Sequence, residues 1–88
     1  MSKVDTLLAK LCKKPTPADF RYSDLKKIMA AFGYKEYTKG KTSGSRVMFY
    51  HPETKAVFQM HKPHPGDEMK KASVEDAVDF LKEHGHIV

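Results

Sequence analysis

Two alternating runs stand back to back in the middle of this chain and constrain its fold more than any other feature. In residues 45–50, Val47 and Phe49 point one way while Arg46, Met48 and Tyr50 point the other. In residues 55–61, Ala56, Phe58 and Met60 share one face, and Val57, Gln59 and His61 share the opposite one. The intervening His51-Pro52-Glu53-Thr54 is turn chemistry. The spacing predicts a β-hairpin with Val47, Phe49, Phe58 and Met60 facing the core. A third, shorter strand is expected over residues 34–39, followed by a loop from Gly40 through Gly44. Short connections favour an antiparallel meander, one face of which needs covering.

The flanking segments have helical patterning. Val4, Leu7, Leu8 and Leu11 make one apolar face, which the lysines and prolines of residues 13–17 end. That helix either packs on the core or reaches a partner. A second helix is expected from Ser23 as N-cap, with Asp24 in its first turn. Its stripe is Leu25, Ile28, Met29 and Phe32, and Gly33 is its left-handed stop. Residues 62–72 read as a loop. A last helix is expected from Ser73, with Asp76 as a short capping box and Val74, Ala77, Val78 and Leu81 as its stripe; Gly85 ends it. The fold class is therefore α+β. The order helix, three strands, helix is that of double-stranded-RNA-binding folds, here with an extra N-terminal helix. A ferredoxin-like fold needs a fourth strand, which the sequence does not supply.

At 88 residues the chain supports one small core. It has no apolar run of membrane-spanning length and no apolar leader near its start, so a cytoplasmic protein without a membrane partner is expected. A single cysteine, Cys12, excludes an internal disulfide, and we read it as a small buried hydrophobe. The net charge of +5 points to acidic partners, such as nucleic acid, an acidic protein or a membrane surface. Lysines 35, 39, 41, 55, 62, 70 and 71, with Arg46, fall on the strands and their loops. They make either a solvated face or a phosphate-binding surface. Tyr37 and Tyr50 could stack on bases, although the aromatic signature of RNA-recognition motifs is missing.

Other chemistries fit poorly. Gly40-Lys41-Thr42 imitates the end of a phosphate-binding loop, but Lys35 stands where the first glycine belongs and a strand follows instead of a helix. The pairs His61/His64 and His84/His86 are too few for a metal site, so neither metal nor cofactor is expected. Those imidazoles either pack in loops or serve acid–base and phosphate contacts near neutral pH.

From about Phe20 to Ile87 the chain resembles the HicA family of toxins from bacterial type II toxin–antitoxin modules. The resemblance rests on the Ser23 helix ending Phe32-Gly33-Tyr34, Gly44-Ser45 opening the second strand, His64-Pro65-Gly66 after the third, and Lys70-Lys71 before the last helix. It implies a double-stranded-RNA-binding-like fold, mRNA cleavage without the ribosome, and neutralisation by a HicB-type antitoxin. It divides the chain into an N-terminal helix and linker over residues 1–19 and a HicA-like RNA-binding domain over 20–88. The family's catalytic histidine usually follows Gly-Ser directly, and here Arg46 stands there. Arginine stays protonated and cannot be a base, but it can hold a phosphate bidentately. The expected roles are therefore His64 as proton acceptor or donor with His61 in support. Arg46, Ser45, Gly44, Lys62, Lys70 and Lys71 would contact RNA. A non-catalytic RNA-binding module and a basic protein-interaction domain are the alternative readings.

Overall fold

The computed structural model describes residues 3–38, 46–63 and 66–87. Along the chain it has α1 (Lys3–Leu11), α2 (Tyr22–Ala31), β1 (Lys35–Thr38), β2 (Arg46–Tyr50), β3 (Val57–His61) and α3 (Lys71–Glu83). The strands form one antiparallel sheet in the order β1-β2-β3. This is the expected α+β fold, an α-β-β-β-α order preceded by an extra helix.

The sheet alternates as its sequence requires. Val47, Phe49, Phe58 and Met60 are buried, together with Ala56, against Leu25, Ile28 and Met29 of α2 and Val74, Ala77 and Leu81 of α3. Each fully buried aliphatic side chain contributes about 1.5–3 kcal/mol. Helix α1 packs on the core: Leu11 is buried and Leu7 and Leu8 lie against the cluster, so the apolar face of α1 is spent within the chain. Cys12 is free, as a single cysteine must be within one chain, but differs from expectation in being only half-buried, just past the end of α1.

Both cap expectations need correction. Helix α2 starts at Tyr22 with Arg21 as N-cap, and no side chain caps it from that position. Ser23 lies inside the first turn instead, where its amide and hydroxyl both donate to Asp67, at 3.3 and 2.6 Å. A carboxylate arriving from 44 residues away thus satisfies the terminal N–H of Ser23 itself, and the serine hydroxyl is a donor here instead of the capping acceptor expected of it. Helix α3 starts at Lys71 with Lys70 as N-cap, two residues ahead of Ser73, so the Ser73–Asp76 capping box does not form and the loop before α3 ends sooner.

The turn is also longer than its polar residues indicate. Lys55 takes a left-handed conformation (φ 66°), and its amide donates to the His51 carbonyl, so β3 begins at Val57. The helix stops are as expected. At the end of α2 the Gly33 amide bonds to Ala30 and the Tyr34 amide to Met29; at the end of α3 Gly85 bonds to Lys82 and His86 to Leu81. Both are Schellman closures with glycine at positive φ. At Gly33 a Cβ would also stand 2.8 Å from the His51 ring.

Candidate nucleic-acid interface

The sheet face opposite the helices is built in rows by the strand register. Lys35, Tyr50 and Val57 make one row, Tyr37, Met48 and Gln59 the next, and Arg46 and His61 the last described one. None of these eight residues is acidic. Tyr37 and Val57 are the exposed large apolar side chains among the described residues, at 48% and 38% exposure. Tyr37 and Tyr50 meet edge to face, with ring centroids 6.2 Å apart. Arg46 and His61 are exposed and stand directly opposite each other, which puts their Cβ atoms about 5 Å apart.

At the free edge of β3 this face runs into an open groove of about 530 Å³. Gln59, His61, Lys62, Glu68, Lys70, Ser73 and Asp76 supply its polar lining. The groove exists because residues 67–69 are stitched to the start of α2. Tyr22 donates its amide to the Asp67 carbonyl, Met69 donates to the Phe20 carbonyl, both at 2.7 Å, and Arg21 bridges Glu68 in antiparallel fashion. Buried Met69 anchors the segment and sets Lys70 and Lys71 at the N-terminus of α3. No side chain caps that N-terminus, and its positive dipole end adds to the two lysines in favouring an anion. Lys62 leans toward α2, with Nζ 5.8 Å from the Tyr22 ring centroid.

The structure thus brings Arg46 and His61 together and sets Lys62 and Lys70 beside His61 along the groove. Lys71 is exposed on α3 but does not line it. His64, Ser45 and Gly44 lie outside the described residues, as do Lys39 and Lys41. Among the described residues Arg46, Lys62, Lys70 and Lys71 have no ion-pair partner, whereas Lys26 pairs with Glu36 at 3.4 Å and Lys27 with Asp24 at 3.9 Å. No group of three or more metal-ligating side chains comes together among the described residues. No described helix is long and apolar enough to cross a membrane.

Two arrangements carry no local sequence signal. Tyr22 donates a hydrogen bond to the Glu36 carboxylate; burial, then Glu36, push its hydroxyl well above the usual phenol range. Where the ends of α2 and α3 meet, Tyr34 bonds to His86 Nε2 at 2.9 Å, and His51 and His86 stack beside them. The His51 Nδ1 accepts from the amides of Glu53 and Thr54 at 3.2 and 3.3 Å. Burial, then the charges of His51 and His84, hold the His86 pKa below its ordinary value. His51 and His86 are therefore packing groups remote in role from His61, and only the closure of both helix ends on one another reveals it.

A family model described as HicA toxin of bacterial toxin-antitoxin matches residues 22–85, more than half of the chain. It takes in α2, the whole sheet and α3, and leaves α1 outside. No curated protein and no solved structure matches the chain.

Proposed function

Because the chain belongs to the HicA toxin family of bacterial toxin–antitoxin systems, we propose that it binds mRNA on the open sheet face and the adjoining groove, and cleaves it there. The observation that carries this reading is the cross-strand pair of Arg46 and His61 on a face whose described strand residues include no carboxylate. In this reading Arg46 grips the scissile phosphate and stabilises the charge that builds on it. The RNA 2′-hydroxyl attacks the phosphorus and its proton passes to an imidazole, of His64 with His61 in support. The bond to the 5′ oxygen breaks and that oxygen takes up a proton, leaving a 2′,3′-cyclic phosphate and a free 5′-hydroxyl. Ser45, Gly44, Lys62, Lys70 and Lys71 hold the flanking backbone. The protein works in the cytoplasm and is silenced by a HicB-type antitoxin that lays acidic residues over the Arg46 face, associating fast and in a salt-sensitive way.

Arg46 also supports a second reading. With a guanidinium where the family usually has histidine, the chain lacks an acceptor at that position and binds RNA without cutting it. Incubation of the purified protein with a long RNA in EDTA, read on a gel, separates the two. Fragmentation lost in His64→Ala supports the nuclease. An inert wild type that still shifts the RNA, and gains cleavage as Arg46→His, supports the binding module.

A further inference from the structure

We infer that Tyr37 and Tyr50 form a stacking platform that takes unpaired bases, so that the RNA held here is single-stranded. The inference rests on the proposed RNA-binding role and adds the class of RNA and the residues that select it. The open face is not uniformly charged. Its middle row is Tyr37, Met48 and Gln59, Tyr50 and Val57 extend the uncharged area into the first row, and its cations stand at the margins: Lys35 at the end of that first row, and Arg46 beside His61 in the last. A duplex offers this centre nothing, because its bases are stacked on each other and its outer surface is phosphate and sugar. An unpaired strand offers both parts at once, base faces for the rings and phosphates for the rim. Tyr37 is half exposed although it sits in the middle row of a paired strand, and its edge-to-face contact with Tyr50 leaves a ring face open. From Arg46 to Tyr50 the platform runs roughly 13 Å along β2, at about 3.3 Å per residue. Charge complementarity favours RNA as the occupant, since the eight described residues of the face include cations and no acid.

The test compares a short unstructured RNA carrying 2-aminopurine with the blunt duplex of the same sequence, at one fixed salt concentration, for wild type, Tyr37→Ala and Tyr37→Phe. Circular dichroism of each variant establishes that it is folded. We expect wild type to bind the single strand more tightly and to change its 2-aminopurine fluorescence. Tyr37→Ala should weaken single-strand binding roughly 5- to 150-fold, the loss of one stacked base. Tyr37→Phe should keep it, and the salt dependence should stay as in wild type. Duplex bound as tightly as single strand, or Tyr37→Ala binding like wild type, overturns the inference and leaves RNA binding standing. Absence of binding to either RNA at low salt overturns both. A labelled acidic peptide that binds as tightly as the RNA, and is lost equally in Tyr37→Ala, assigns the face to a protein partner and overturns the inference as well.

Discussion

Arg46 and His61 face each other across the β2–β3 ladder, a fixed cation beside a titratable imidazole, on the side of the sheet turned away from the helices. The pairing makes their separate contributions measurable. Arg46→Ala should lower RNA affinity and reduce the slope of log affinity against log salt by about 0.7–0.9, the loss of one phosphate contact. Titrations at several salt concentrations read it directly, and an unchanged slope would remove Arg46 from the phosphate contacts.

For cleavage, His64→Ala should lose most of the activity, roughly 10²–10⁴-fold if its imidazole moves the proton. His61→Ala should lose less, and Arg46→His should raise the rate above wild type. Single-turnover cleavage of one labelled RNA in EDTA ranks all three. Equal rates for His64→Ala and wild type would take His64 out of the chemistry.

Asp67→Ala should cost about 0.5–2 kcal/mol, the usual penalty for losing a helix N-terminal acceptor. Asp67 receives both the amide and the hydroxyl of Ser23 and sits on the segment stitched to residues 20–22. The substitution should therefore speed amide exchange at Tyr22 and Met69 as well as lower the urea midpoint. Ser23 read as an N-cap predicts no such effect of Asp67.

Leu25→Ala should cost about 2–5 kcal/mol, because Leu25 is wholly buried between α2 and the sheet and its removal leaves a cavity. For a chain of this size that is a large share of the total stability. Urea unfolding followed by circular dichroism measures it, with Lys27→Ala, exposed on the same helix, as the silent comparison.

Stability should fall with acid because of His86. Its folded pKa lies below the ordinary value of about 6.5, so the fold favours the neutral ring. That contribution is fully present above about pH 6.5 and is lost as pH drops through the lowered folded value. His51, His84 and Tyr34 are the titratable groups around it. His86→Phe should flatten the pH dependence of the melting temperature below neutrality, and a profile as steep as that of wild type would place its origin elsewhere.

What was legible in the amino-acid order was whatever short-range periodicity encodes. Alternation over residues 45–61 assigned Val47, Phe49, Phe58 and Met60 to the core and Arg46 and His61 to one face, since side chains two apart in a strand share a side whatever they pack against. The stripes of α2 and α3 and the stops at Gly33 and Gly85 were legible for the same reason, because a repeat of 3.6 residues and a positive φ are local properties. Tertiary structure decided everything that needed a partner from far along the chain. Ser23 and Ser73 satisfy local cap rules, yet Asp67 arrived from 44 residues away to take the first, and α3 began at Lys71 ahead of the second. The groove beside β3 exists only because residues 67–69 pair with residues 20–22, and the bond from Tyr34 to His86 only because two helix ends meet. Local rules rank what a residue can do with its neighbours, while the fold determines which distant groups come within hydrogen-bonding reach and so which of those options is used.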